Sequence, residues 1–79
     1  MGQLKIYVES EGKPVSDKNV FISISSGILP STHDDTYTDD YGYAYFDVPN
    51  FSEVVINING DDIRTVGTGG GDKEVTVTI

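Results

Sequence analysis

Apolar and polar residues alternate one by one along several short stretches of this chain, and this pattern constrains the fold more than any other feature. Successive side chains of a β-strand point to opposite faces of a sheet, so the alternation predicts strands with one buried face and one exposed face. No stretch of ten residues has the spacing of an amphipathic helix, and β-branched residues dominate each alternating stretch. The chain is therefore predicted to be all-β.

The alternation predicts six or seven strands and assigns an inward face to most of them. The residues predicted to face the core are Leu4, Ile6 and Val8, Val20, Ile22 and Ile24, Ala44, Phe46 and Val48, Val54, Ile56 and Ile58, and Val75, Val77 and Ile79. Two shorter strands, which lack a complete pattern, are predicted at residues 37–38 and 63–66. The intervening side chains, such as Lys5 and Tyr7, are predicted to face solvent.

Two turns can be placed from the residues that favour them. Gly12 and Pro14 predict a hairpin after the first strand, because glycine adopts positive φ and proline removes a backbone donor. Asp39 predicts a turn in which its side chain accepts backbone hydrogen bonds, and Gly42 is expected to take the left-handed position of that turn.

Three further segments are predicted to connect strands. Residues 26–35 are irregular and are predicted to form a loop that crosses between sheets. Residues 60–62 are predicted to form a hairpin turn, and residues 67–71 a glycine-rich connection. The spacing of strands and turns predicts a single domain over residues 1–79, built as two antiparallel sheets packed face to face or as a partly open barrel. We favour the sandwich.

The charge of the chain restricts its partners. Acidic residues outnumber basic ones, 13 to 5, which gives a formal net charge of −8. Nucleic acids and anionic lipids are bound by Lys and Arg, and no apolar run approaches the length of a membrane span, so neither nucleic acid nor membrane is expected as a partner. The charge is typical of a soluble β domain whose strand edges repel one another. It also suits an acidic inhibitor or decoy that binds a basic protein.

Two stretches resemble a known pattern. Residues 12–22 read GKPVSDKNVFI and residues 36–49 read TYTDDYGYAYFDVP. They are similar to the G-x-P-V…V-x-I and T-D-x-x-G-x-A-x-F-x-V-P signatures of transthyretin-like domains, above all the carboxypeptidase regulatory-like and Cna protein B-type domains. The resemblance extends from Leu4 to about Ile58. It implies an immunoglobulin-like or transthyretin-like sandwich that acts as an accessory module rather than as an enzyme.

No catalytic residue is predicted. His33 has Ser31, Asp34 and Asp35 as sequence neighbours, but a nucleophile, its base and an orienting carboxylate are normally assembled from distant positions on a rigid frame. A single loop histidine among acidic residues is more simply a solvated turn residue. The chain has no Cys and no second His, so a disulfide or a structural zinc site is not expected.

Three pairs of adjacent aspartates raise the question of calcium, which takes six to eight oxygen ligands. The pairs are Asp34–Asp35, Asp39–Asp40 and Asp61–Asp62. None has the D-x-D-x-D-G spacing of a calcium loop, and aspartate is common in turns because its side chain bonds to the local backbone. No metal and no other cofactor is therefore predicted.

The candidate binding residues are tyrosines. If Ala44, Phe46 and Val48 face the core, then Tyr43 and Tyr45 face solvent, and Tyr37 is predicted to be exposed on its own strand. Exposed tyrosine rings offer flat contact area to a protein or a sugar ring. The alternative is that the rings stabilise the sheet by pairing across strands.

These observations predict a noncatalytic structural or protein-interaction module, either within a larger extracellular or virion assembly or as a standalone binder. One alternative is a carbohydrate-binding module that uses Tyr37, Tyr43 and Tyr45. The strand at residues 73–79 is regular and free of proline, so a protein partner or a second copy could also pair with its edge. The sequence leaves the cellular compartment open.

Overall fold

The computed structural model describes residues 2–25, 27, 30–58 and 61–79. Within these residues the chain forms eight β-strands. They are β1 (Gly2–Ser10), β2 (Lys13–Pro14), β3 (Asn19–Ser25), β4 (Thr32–Tyr37), β5 (Tyr43–Val48), β6 (Glu53–Ile58), β7 (Asp61–Gly67) and β8 (Lys73–Thr78). The described part of the chain contains no helix that could cross a membrane.

The strands form two four-stranded sheets that pack into a small β-sandwich, as the sequence predicted. Sheet A contains β2, β1, β5 and β8, and sheet B has the order β4-β3-β6-β7. Neighbouring strands are antiparallel except for β1 and β8, which run parallel. Because β5 and β8 both pair with Leu4–Tyr7 of β1, they lie on opposite sides of it. The parallel pair was not predicted.

The core lies between the sheets and consists of the residues that alternation assigned to it. The buried apolar side chains are Leu4, Ile6, Val8, Val20, Ile22, Ile24, Ala44, Phe46, Val48, Val54, Ile56, Ile58, Val66, Val75 and Val77. Ile79, which was predicted to be buried, follows the end of β8 and is 40% exposed. Val66 was not in the predicted set because β7 shows only part of the alternating pattern.

The prediction of a crossing loop over residues 26–35 is wrong for its second half. Thr32–Tyr37 form β4, which pairs with β3 as an antiparallel hairpin within sheet B. The chain crosses to sheet A only after Tyr37, over residues 38–42. β4 is an edge strand whose side chains are exposed or half-buried, so it needs no alternating apolar residues, and its aspartates discourage pairing with other edges. Residues 26, 28 and 29 lie outside the described residues.

The crossing turn has the predicted chemistry. One carboxylate oxygen of Asp39, Oδ1, accepts hydrogen bonds from the backbone N–H groups of Tyr41 at 2.9 Å and Tyr43 at 3.0 Å. Gly42 has φ of 85°, the left-handed conformation expected for it. Asp39 therefore fixes the entry into β5, and with it the direction of the side chains on that strand.

A buried threonine attaches this turn to the segment between β2 and β3. The hydroxyl of Thr38 donates a hydrogen bond to the carbonyl of Val15 at 2.6 Å and accepts one from the N–H of Lys18 at 2.9 Å. Thr38 is almost completely buried, so its hydroxyl makes both bonds at a site that is partly shielded from water. The two chain segments that resemble the transthyretin-like pattern are thus joined to each other.

The second half of sheet B differs from the prediction in its limits. β7 covers Asp61–Gly67 rather than residues 63–66, and a register shift at Ile56/Asn57 accommodates its extra residue. Of the hairpin turn predicted at residues 60–62, residue 60 lies outside the described residues, and residues 61 and 62 belong to β7.

Candidate binding face

The outer face of sheet A brings three tyrosines and a lysine together. In the pairing of β1 with β5, Tyr7 lies opposite Tyr43 and Lys5 lies opposite Tyr45. Paired residues share a face, and the residues between them are buried in the core, so all four side chains point outward. We call this group of Lys5, Tyr7, Tyr43 and Tyr45 the tyrosine face.

The side chains of the tyrosine face contact one another. The ring centroids of Tyr7 and Tyr43 are 5.0 Å apart with the planes tilted by 42°, and those of Tyr43 and Tyr45 are 6.2 Å apart at 28°. The Lys5 ammonium lies 4.4 Å from the centroid of Tyr43 and 6.0 Å from that of Tyr45. At exposed sites such cation–π contacts contribute roughly 0.5 to 1 kcal/mol. Tyr7 and Tyr43 therefore pair across β1 and β5, as in the alternative interpretation of the sequence, whereas Tyr43 and Tyr45 contact each other along one strand.

Pairing leaves the three rings unequally accessible. Tyr7 and Tyr43 are half-buried, and Tyr43 is contacted by Tyr7, by Tyr45 and by Lys5. Tyr45 lies at the margin of the group and is 45% exposed. A partner that docks on this face would therefore meet the ring of Tyr45 first.

A shallow depression of about 340 Å³ adjoins the tyrosine face. It is lined by Gln3, Lys5, Asp72, Lys73 and Glu74. Lys5 and Glu74 face each other across β1 and β8, with Nζ and Oε2 4.0 Å apart. The depression thus presents both signs of charge and shares Lys5 with the tyrosine face.

Sequence reasoning missed this depression because β1 and β8 are far apart in the chain. The sequence did place Lys5 and Glu74 on the outward faces of their own strands, and this was the indication it contained. Only the parallel register, which places Lys5 opposite Glu74, shows that the two side chains are neighbours.

Tyr37 is not part of this group. It lies at the end of β4 in sheet B, where it pairs with Asn19, and it is 65% exposed. Because β4 and β5 belong to different sheets, Tyr37 cannot form one platform with Tyr43 and Tyr45. The three candidate residues therefore occupy two separate surfaces.

The acidic segment around His33 is organised as a sheet surface. The His33 ring stacks on Phe21 of the neighbouring strand, with centroids 5.4 Å apart and planes at 24°. Asp35 accepts a hydrogen bond from the side-chain amide of Asn19 at 3.0 Å. Among the described residues, no three His, Asp or Glu side chains are grouped so that they could hold a metal ion.

The free edge of β8 is partly occupied by an arginine. Ile79 donates its backbone N–H to Glu9 of β1 at 2.8 Å. Because backbone groups alternate in direction along a strand, those of Thr76 point the other way, to the edge of sheet A. The guanidinium of Arg64, on β7, donates a hydrogen bond to the Thr76 carbonyl at 3.0 Å. Arg64 thus covers one backbone acceptor of the edge.

Fold and surface together define a small β-sandwich domain with an aromatic and charged outer face. No protein-family model matches the chain, and no curated protein gives a significant match to it. The resemblance to transthyretin-like domains therefore remains a prediction.

Proposed function

We propose that the chain is a noncatalytic protein-interaction module of transthyretin-like type, which binds a protein partner through the tyrosine face. The observation that carries this proposal is the position of Tyr45, which is exposed on the same outer face of sheet A as a depression of mixed charge. Such a module suits an accessory role in a larger extracellular or virion assembly.

The chemistry of this face resembles that of protein interfaces. Interfaces combine aromatic side chains, tyrosine prominent among them, with a polar rim that remains accessible to water. Here Tyr45 supplies the aromatic contact, and the charged side chains around Lys5 supply the rim. The cross-strand contacts hold Tyr43 and Lys5 in place before binding, which reduces the entropy lost when a partner docks.

Capture of partners from the source of the chain tests this proposal when two variants are compared. Tyr45→Ser removes the exposed ring of the tyrosine face, and Tyr37→Ser removes an equally polar but more exposed ring from sheet B. We expect Tyr45→Ser to weaken retention of a protein partner at least about tenfold, as for a residue that contributes more than 1 kcal/mol, and Tyr37→Ser to leave it unchanged. Equal retention by both variants would contradict the assignment of the face.

Carbohydrate binding is the second candidate. The rings of Tyr43 and Tyr45 are inclined by only 28°, so they offer nearly parallel surfaces on one side of β5. The close approach of Lys5 to the Tyr43 ring favours a protein partner, because the ammonium competes with a sugar for that ring. If the chain binds to a glycan array and this binding does not change with salt concentration, the result would support carbohydrate binding. Binding to a basic protein that weakens sharply with salt would instead support an acidic decoy.

Self-association through β8 is a separate part of the proposal. Replacing Arg64 with alanine frees the Thr76 carbonyl at the edge of sheet A. We expect the variant to self-associate roughly tenfold more tightly. In the wild-type chain, strand pairing at this edge must first break the hydrogen bond from Arg64, and a hydrogen bond to a charged group contributes on the order of 1.5 kcal/mol.

Sedimentation velocity over a wide concentration range measures this effect. Lys13→Ala is the control, because it removes the same charge from β2, away from the β8 edge. A monomeric Arg64→Ala chain at every concentration would exclude self-pairing through β8.

A further inference from the structure

Phe51 is the most exposed large apolar side chain among the described residues, at 81%. It lies between β5 and β6, in the loop of residues 49–52, at the end of the sandwich. Its φ is 58°, in the left-handed region. Bulky residues rarely adopt this conformation, which costs a residue other than glycine about 1 to 2 kcal/mol. Burial of the ring does not explain the strain, because the ring is in water.

Hydroxyl and backbone hydrogen bonds together hold the loop in this conformation. The side chain of Ser52 donates to the carbonyl of Pro49 at 2.8 Å, which closes the loop across Phe51. The hydroxyl of Thr68 accepts from the N–H of Ser52 at 2.9 Å, and the N–H of Thr68 donates to the Ser52 carbonyl at 2.8 Å. Ser52 and Thr68 are both buried. The backbone on both sides of Phe51 is therefore held in place by hydrogen bonds to buried residues.

The surroundings of Phe51 leave its ring free on most sides. The backbone N–H of Phe51 donates a hydrogen bond to the carbonyl of Gly69 at 3.3 Å. The residue next to Phe51 in the neighbouring segment is therefore a glycine, which has no side chain to cover the ring. Glu53 at the start of β6, Asp72 just before β8 and Lys73 at the start of β8 are exposed at the same end of the sandwich, so the carboxylates there outnumber the ammonium. This end thus presents one aromatic ring, exposed glycine backbone and a net negative charge.

We propose that Phe51 is an anchor residue that inserts its ring into an apolar pocket of a protein partner, whose rim carries Lys or Arg side chains. A rigid loop loses little conformational entropy when it binds, and a fully desolvated aromatic ring is the kind of group that dominates interface energetics. The basic rim follows from the acidic side chains beside the loop. The strain in the backbone is the cost of displaying the ring, a pattern that occurs at binding sites.

This anchor rests on the proposed role in protein interaction but not on the tyrosine face. Tyr45 lies within β5 on the outer face of sheet A, whereas Phe51 lies beyond the end of that strand. The two contacts can therefore succeed or fail independently.

The first test needs no partner. Phe51→Asn replaces the ring by a residue that tolerates positive φ, so we expect the thermal midpoint to rise by roughly 2 to 6 °C. Tyr41→Asn is the control, because Tyr41 is a similarly exposed aromatic residue with ordinary φ, and we expect no rise. An unchanged or lower midpoint for Phe51→Asn would mean that the ring is compatible with its backbone or supports the fold, and would overturn the proposal.

The second test identifies the contact. A photo-crosslinking phenylalanine analogue is placed at position 51, and in a separate chain at position 41, and both are irradiated in the source extract. We expect an adduct with one protein at position 51 only, joined at an apolar pocket with basic side chains around it. Excess wild-type chain should suppress this adduct, whereas excess Phe51→Ala chain should not.

The outcomes separate the two proposals. No adduct at position 51, or an adduct that Phe51→Ala suppresses as well as wild type, would overturn the anchor. If Tyr45→Ser suppresses the adduct as well as wild type does, the anchor stands and the tyrosine face does not bind this partner. If Tyr45→Ser fails to suppress it, both contacts belong to one interface.

Discussion

Replacing Phe46 with alanine is expected to lower the free energy of unfolding by about 3 to 5 kcal/mol. Phe46 is 3% exposed and projects from β5 into the core between the two sheets. A core of this size supplies only about 3 to 5 kcal/mol of net stability, so a large fraction of Phe46→Ala molecules, roughly half, should be unfolded at 25 °C. Urea denaturation followed by circular dichroism measures the loss.

Phe51→Ala is the matched control for this prediction. It makes the same chemical change at a ring that is 81% exposed, and its stability should stay within about 0.5 kcal/mol of wild type. Similar losses for the two variants would mean that the assignment of buried and exposed faces on β5 and its following loop is wrong.

Replacing Gly42 with alanine is expected to cost roughly 2 to 4 kcal/mol, from positive φ together with steric overlap. Gly42 has φ of 85°, and an added Cβ would lie 2.9 Å from both the Val8 carbonyl oxygen and the Cβ of Pro14. Because backbone and a proline ring have little freedom to move, the crossing turn itself would have to shift.

Gly70→Ala provides the comparison for Gly42→Ala in the same denaturation experiment. An added Cβ at Gly70 meets no atom within 4 Å, so we expect a change of less than about 0.5 kcal/mol. Equal stability of the two variants would contradict the packing of the crossing turn against β1 and β2.

The core was predictable because it depends only on the alternation of apolar and polar residues within each strand. Leu4, Ile6 and Val8 alternate with polar residues, and alternation in a strand can bury only one of the two sets. The same argument placed Tyr43 and Tyr45 on the outer face. The turn at Asp39 and Gly42 was predictable for another local reason, since its conformation follows from the hydrogen bonding of Asp and the freedom of Gly.

The remaining features depend on contacts between distant segments or on edge strands. β4 has no apolar alternation because its side chains are exposed or half-buried on both faces, so the sequence predicted a loop there. The parallel pairing of β1 with β8 joins residues about 70 positions apart, and local parity contains no information on which strands become neighbours. The depression beside Lys5 and the separation of Tyr37 from the other tyrosines both follow from such pairings.

The arrangement of the two proposed contacts has a structural consequence. The tyrosine face belongs to rigid strands, and the Phe51 loop is held by buried hydroxyl groups, so neither contact requires the domain to change shape on binding. Affinity for a partner should therefore depend on the side chains displayed rather than on ordering of the chain.

Oxidation of tyrosine side chains by hydroxyl radicals, compared between the purified chain and the chain in its native extract, tests the central claim most directly. Mass spectrometry of the peptides reports each ring separately. Binding through the tyrosine face predicts that oxidation of Tyr45 falls in the extract while oxidation of Tyr37 stays the same. Protection of Tyr37 instead of Tyr45, or equal oxidation of both rings in the two samples, would contradict it.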